Sequence, residues 1–335
     1  MKSSARATRG SISLSVLVIA GVGLLLATGL VIHFGARDIA AAVAGIGWGM
    51  GAIVLAHIAQ IWLSGQGWQA VASVARHAPV WVFAQARWIR ESVSALLPLT
   101  QIGGEIVSIR VVVLHGFRSG LAAASMIADL AAQILSQAVF TLLGLSLLVI
   151  DGHQGPVVEW TVVGLLASLA VLPAFFFAQR RGLLRSTEAL FIRIADRFPA
   201  FKGASLDGLQ DGIHQLFAQP LALLRSFNAH LLSWLLGAFE IWLILHFLGV
   251  SLGAREALVI ESLSQVVRSV AFAVPAALGV QEGGFMLIGA IYGLSPQTAL
   301  ALSLAKRVRE IILGVPGLLA WQWLEGRRWW LRRRG

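Results

Sequence analysis

SGLAAASMIADLAAQILSQAVFTLLGLSLLVI, residues 119–150, holds a single charge, Asp129, in a run long enough to cross a bilayer. The hydrocarbon core of a membrane calls for about 20 apolar residues in a helix. At about 1.5 Å per residue, Asp129 falls about 15 Å along the run, near the bilayer midplane. Ser125, Asp129, Gln133 and Ser136 recur at helical spacing and share one face. A charge there would cost about 3 kcal/mol or more against lipid, so this face must turn toward protein or water. The stretch predicts a membrane helix with a polar partner.

The rest of the chain reads alike. Of its 335 residues, 57% are hydrophobic and 13% charged, whereas a soluble domain carries roughly 25% charged residues. Mean hydropathy is +0.80. Further apolar runs cover residues 14–34, 48–68, 157–179, 227–249 and 296–324. Two more, 80–116 and 257–292, are interrupted by charges, Gly and Pro. Gly65 and Gly67 predict a break in the run at 48–68. The pattern predicts an all-α polytopic membrane bundle, one transmembrane domain over 1–335 with about six full spans and two broken or re-entrant helix pairs. No stretch remains for a separate soluble catalytic domain. Lys2, Arg6 and Arg9 ahead of the first run resemble a signal peptide, but the apolar core is too long, which predicts a retained anchor.

Basic residues give the orientation. With the N-terminus inside, Lys2, Arg6, Arg9, Arg76, the basic region 180–225 and the Arg327–Arg334 tail are all cytoplasmic, leaving Arg37 and Arg255 outside. Both termini are thus expected on the cytoplasmic side. Trp160, Trp321, Trp323, Trp329 and Trp330 sit near span ends, as an aromatic belt would. The net charge of +10 flanks apolar spans, which favours anionic or polar-headed membrane lipids over nucleic acid as partners. Within 180–225, Leu184, Phe191, Ile194 and Phe198, and again Leu206, Leu209, Ile213 and Leu216, fall on helical faces. They predict either helices lying on the membrane surface or ordinary cytoplasmic loop helices.

There are no cysteines, which excludes disulfides and thiolate chemistry. His33, His57, His115 and His246 lack a second ligand at metal spacing, so no metal is expected. Asp151 and His153 are expected to be solvated in a short outer loop. No phosphate loop and no Gly-x-Ser-x-Gly occurs. No cofactor and no enzymatic activity are expected.

The two interrupted runs resemble each other. Pro98 is followed by Glu105 and Gly116, and Pro275 by Glu282 and Gly293, at the same offsets. Gly103 and Gly104 precede the first Glu, and Gly283 and Gly284 follow the second. This predicts a repeat, 80–150 and 257–325, joined through the connector 180–225, with Pro98, Gly103, Gly104, Pro275, Gly279, Gly283 and Gly284 as hinges. Three full spans, 119–150, 157–179 and 227–249, separate the two interrupted runs, so those runs would enter from opposite faces. Inverted repeats with broken helices are a recurrent transporter architecture, and broken backbone must face protein or a wet cavity.

Further polar stripes accompany the one on 119–150: His230, Ser233, Gly237 and Glu240; Glu261, Gln265 and Arg268; and Ser303, Arg307 and Glu310 with Lys306 and Arg309 beside them. Four stripes in an apolar bundle are expected to converge on a shared chamber. Arg268, Lys306 and Arg307 would attract an anionic headgroup there. Glu105, Asp129, Glu282 and Glu310 would take an amine or complete ion pairs, for example Asp129 with Arg307.

Leu97-Pro-Leu-Thr-Gln-Ile-Gly-Gly-Glu105, then Arg110 and the span holding Asp129, resembles the transmembrane region of the lysylphosphatidylglycerol synthase family, the flippase-like domain family. Val274-Pro-Ala-Ala-Leu-Gly-Val-Gln-Glu-Gly-Gly284 through Glu310 is similar to a hopanoid-biosynthesis-associated subgroup. The resemblance implies a lipid-handling protein of the bacterial inner membrane. In full synthases a separate cytosolic domain transfers an amino acid from tRNA to lipid. No such domain is recognised here, so synthase activity is not expected. The leading expectation is a lipid flippase or lipid-transport component for polar-headed lipids, hopanoids among them. The alternative is a non-transporting scaffold or accessory subunit that docks lipid-biosynthesis enzymes.

Overall fold

A computed structural model describes residues 36–97, 101–152, 208–270 and 279–332, with isolated positions between 159 and 166. All regular structure among them is α-helical. The runs at 14–34 and 157–179, the helix expected at 184–198, Pro98, Pro275 and His153 lie outside these residues.

The helices are α1 (Ala36–Gly45), α2 (Gly49–Ala72), α3 (Val80–Leu96), α4 (Gln101–Leu114), α5 (Ser119–Ile150), α6 (Leu209–Phe217), α7 (Pro220–Phe247), α8 (Ala254–Val270), α9 (Val280–Ile291) and α10 (Pro296–Arg332). Each interrupted run is two helices. Leu97 is extended, φ −102° and ψ 145°, as the residue before a proline should be, and α3 stops there. In the second run, Gly279 takes φ +77° and α9 begins at the next residue. The expected break at Gly65 and Gly67 does not occur, because α2 is one helix from Gly49 to Ala72. The glycines there serve packing instead. A Cβ at Gly65 would lie 2.6 Å from the Ala84 backbone nitrogen, and one at Gly67 would lie 3.0 Å from His230.

Gly103, Gly104, Gly283 and Gly284 also lie inside helices. A Cβ at Gly104 would come 2.9 Å from the Arg90 carbonyl, and one at Gly284 would come 3.1 Å from Val267. The missing side chains let α4 close on α3 and α9 close on α8, so both pairs are hairpins. Arg76, just before α3, donates to the Gly116 carbonyl, just after α4. The first hairpin therefore starts and finishes at the end of the bundle where α5 starts. At the far end of α5, Asp151 pairs with Arg255 at 2.5 Å and accepts from the Tyr292 hydroxyl at 3.5 Å. Those residues flank the second hairpin, which starts and finishes at that opposite end. Asp151 is thus an anchored ion-pair partner rather than the solvated loop residue expected. Burial and the Asp151 carboxylate push the Tyr292 phenol up to about 12, which keeps it a neutral donor.

Two apolar cores form. One gathers Trp68 and Val71 of α2, Phe83 and Ile89 of α3, Ala124 and Ala128 of α5, and Ile213 and Leu216 of α6. The other holds Ile53 of α2, Leu148 of α5, Ile241 and Ile244 of α7, and Phe285 of α9. Between them, midway along α2, α5 and α7, lies a layer of polar side chains. α6 buries Leu209, Ile213 and Leu216 against the protein, so the apolar face of that connector helix is not free for lipid.

The outside is apolar. Leu135, Leu142 and Ile150 of α5, Leu224, Leu232 and Phe239 of α7, and Ile311, Val315 and Leu319 of α10 are exposed. Arg87, Asp129, Glu240, Glu261, Glu282, Lys306 and Arg309 are buried. That inverts the pattern of a soluble protein and suits hydrocarbon outside. Among the described residues, Ser119–Ile150 and Pro220–Phe247 are long and apolar enough to cross a membrane. The latter starts a turn or two before the apolar run at 227–249, with Pro220 in its first turn.

Candidate functional site

A cavity of about 230 Å³ opens inside the polar layer, walled by α2, α3, α5, α7, α8 and α10. Among its charged lining residues are four cations (Arg90, Arg268, Lys306 and Arg309) and four carboxylates (Glu91, Glu240, Glu261 and Glu310). The charge is balanced, with Gln133, Gln137, Ser233 and Gln265 adding neutral donors and acceptors. Their heptad-like recurrence turns one side of each helix to the cavity while the exposed side stays apolar.

Most of these charges are locked in pairs. Lys306 reaches Glu261 at 2.8 Å, and Gln265 donates to the other Glu261 oxygen at 2.7 Å. Arg309 pairs with Glu240, which also accepts from Gln60 at 2.7 Å. His57 spans Glu240 at 3.1 Å and Glu91 at 2.9 Å. Glu91 and Arg268 are the charged wall residues left most open, with side chains 39% and 32% exposed. The ion pair of Arg268 with Glu310 is long, 3.6 Å.

The sequence-derived site divides in two. Arg268, Lys306 and Glu310 reach the cavity as expected from their stripes. Asp129, Glu105, Glu282 and Arg307 do not line it. Asp129 is held by Arg87, by His230 at 2.9 Å and by Ser226 at 2.9 Å, not by Arg307 as expected. Arg307 instead contacts Glu282 at 3.4 Å and Glu310 at 3.1 Å. Glu105 pairs with Arg90 at 2.5 Å. Three of these hold wall residues: Glu105 holds Arg90, Asp129 holds His230, and Arg307 holds Glu310, while Glu282 holds Arg307 in turn. The reason is axial for Asp129: it shares a face with Gln133 but lies one turn away along α5, and of the two Gln133 lines the cavity.

Several wall residues were missed from sequence. His57 carried only a failed metal argument, although His57, Gln60 and Ser64 recur at helical spacing and mark α2 as a fifth polar stripe. Arg87, Arg90, Glu91 and Ser94 do the same on α3. Glu240 belongs to one sequence stripe and Arg309 lies beside another, but neither is among the site residues expected from sequence.

On α5, α6 and the start of α7, a second groove of about 420 Å³ is lined entirely by apolar residues, Leu135, Phe217, Leu223 and Phe227 among them.

An apolar outside, a buried layer of charge and a balanced cavity within that layer define an α-helical membrane protein with an internal polar chamber. Residues 12–317 match the lysylphosphatidylglycerol synthase TM region, and the chain belongs to that family. Neither a curated protein nor a solved structure matches it.

Proposed function

We propose that this protein moves a polar-headed lipid between the leaflets of the bacterial inner membrane, spanning it several times with both termini in the cytoplasm. The family ties it to lipid handling, and the observation that carries the finer reading is the balanced charge of the cavity. A chamber walled by four cations and four carboxylates suits a headgroup bearing both signs. Its phosphate would meet Arg268 and its amine Glu91, the two most open charges. The tails stay outside, and the apolar groove beside α5 and α7 is a path for one of them. A hopanoid carrying a polar headgroup fits the same division, in keeping with the similarity of residues 274–310 to the hopanoid-associated subgroup.

The two hairpins support an alternating mechanism. The helices run 17, 14 and 32 residues in α3–α5, and 17, 12 and 37 in α8–α10. Gly116 and Gly293, at matching offsets, both take positive φ, +91° and +73°. Hairpins returning to opposite ends of α5 suit an inverted repeat, in which either hairpin's displacement opens the chamber to its own side.

The test is reconstitution into liposomes with headgroup-labelled lipids, zwitterionic, anionic and hopanoid. Protein should speed loss of outer-leaflet label for at least one class, and Arg268→Gln or Glu91→Ala should slow it about tenfold. Absence of movement for every class, with cells unaffected by those substitutions, would sink the proposal and leave a scaffold.

A further inference from the structure

Both ring nitrogens of His57 meet carboxylate oxygens: Nε2 lies 2.9 Å from Glu91 Oε2 and Nδ1 lies 3.1 Å from Glu240 Oε2. A neutral imidazole has one N–H and one lone pair, and an ionised carboxylate only accepts. With a neutral ring and two carboxylates, one of these contacts would set lone pair against lone pair. The arrangement closes only when the cluster holds one more proton, on the ring or on a carboxyl oxygen. The heavy-atom positions require this whichever tautomer is drawn.

We propose that His57, Glu91 and Glu240 form a proton-binding site on the cavity wall, whose proton fastens the first hairpin to α2 and α7 and is the coupling ion of transport. The coupling role rests on the lipid-translocation reading; the site itself does not. Glu240 is the fixed side, 1% exposed and also bound to Arg309 and Gln60. Glu91 is the open side, on α3 and facing the cavity. Release takes the proton from the ring through Glu91 to water in the chamber. What remains is a ring lone pair against the Glu91 carboxylate, so α3 loses its hold on α2. The movement reaches α4 through the Arg90–Glu105 pair.

The surrounding charges fit this assignment. From α10, Arg309 opposes the proton but is neutralised by Glu240, and Glu310 lies beyond it. From α8, Glu261 is committed to Lys306. On α7, His230 is committed to Asp129 of α5, which also binds Arg87 of α3. Arg90, next to Glu91, is held by Glu105. Among these described groups, Glu91 is the carboxylate free to trade a proton with the cavity.

Three measurements on the full chain in nanodiscs or liposomes test this. In ¹⁵N-histidine and ¹³C-glutamate spectra, with His57→Gln for assignment, the cluster should hold its extra proton at neutral pH. Neutral His57 beside two ionised carboxylates would overturn the site. Spin labels on cysteines replacing Leu55 and Trp81, both exposed, should move apart between about pH 5 and about pH 9. Glu91→Gln supplies a permanent amide donor and should hold the short distance at both. A distance indifferent to pH in the unsubstituted cluster would overturn the fastening. Finally, a one-unit pH gradient should sustain about a tenfold lipid asymmetry between leaflets for one proton per lipid, absent in Glu91→Gln. Lipid exchange that stays symmetric under either gradient would overturn the coupling alone. No exchange at all would overturn the translocation reading and the coupling with it, leaving the spectra to decide the site.

Discussion

Glu240 is 1% exposed and accepts from Arg309, Gln60 and His57, so its charge is fully spoken for. Removing one partner of a buried pair costs about 3–5 kcal/mol because the other charge is stranded, whereas removing both is far milder. Glu240→Gln should therefore lower the thermal midpoint in nanodiscs more than Glu240→Gln with Arg309→Gln together. Equal or additive losses would mean the pair is not coupled. The same logic predicts that Asp129→Asn is destabilising through Arg87, although Asp129 does not reach the cavity. At this scale the sequence was half legible. Periodicity located Ser125, Asp129, Gln133 and Ser136 on one inward face. It could not choose Arg87 over Arg307 as the partner of Asp129, because pairing depends on the rotation of each helix about its axis.

Among the elements, two glycines on α2 make opposite predictions. A Cβ at Gly65 would meet the Ala84 backbone at 2.6 Å, whereas nothing lies within 4 Å of one at Gly51. Gly65→Val should push α2 from α3 and lower the folded yield in detergent. Gly51→Ala should raise stability by about 0.5–1 kcal/mol, as helix propensity favours. A destabilised Gly51→Ala would show that this face of α2 is not open. Pre-proline geometry made the end of α3 at Leu97 legible in the sequence. Continuity of α2 was not, since whether a glycine breaks a helix or admits a neighbour depends on what stands opposite.

For the whole molecule, the hairpins dictate which loops share a side. The chain has no cysteines, so single replacements report cleanly. Ser251→Cys and Ser295→Cys, exposed beside α8 and at the start of α10, should react with an impermeant maleimide from the periplasmic side. His77→Cys and Arg118→Cys should react only in inside-out vesicles. If flanks of one hairpin labelled from opposite sides, that pair would span rather than return. The sequence yielded the helical class and the two interruptions at Pro98 and Pro275. The number of crossings was less legible, because inward polar faces on α2 and α10 dilute the apolar signal that marks a span.

The buried charges are also far apart along the chain. Arg87 and Asp129 are 42 residues apart, Glu261 and Lys306 45, Glu240 and Arg309 69, and Asp129 and His230 101. During synthesis each early segment therefore reaches the insertion machinery carrying a charge whose neutralising counterpart has not yet left the ribosome. Chains halted shortly before Lys306 would strand Glu240 and Glu261 together. Such nascent intermediates should linger at the translocon and fall to quality-control proteases, while chains extended past Arg309 are released into the lipid phase.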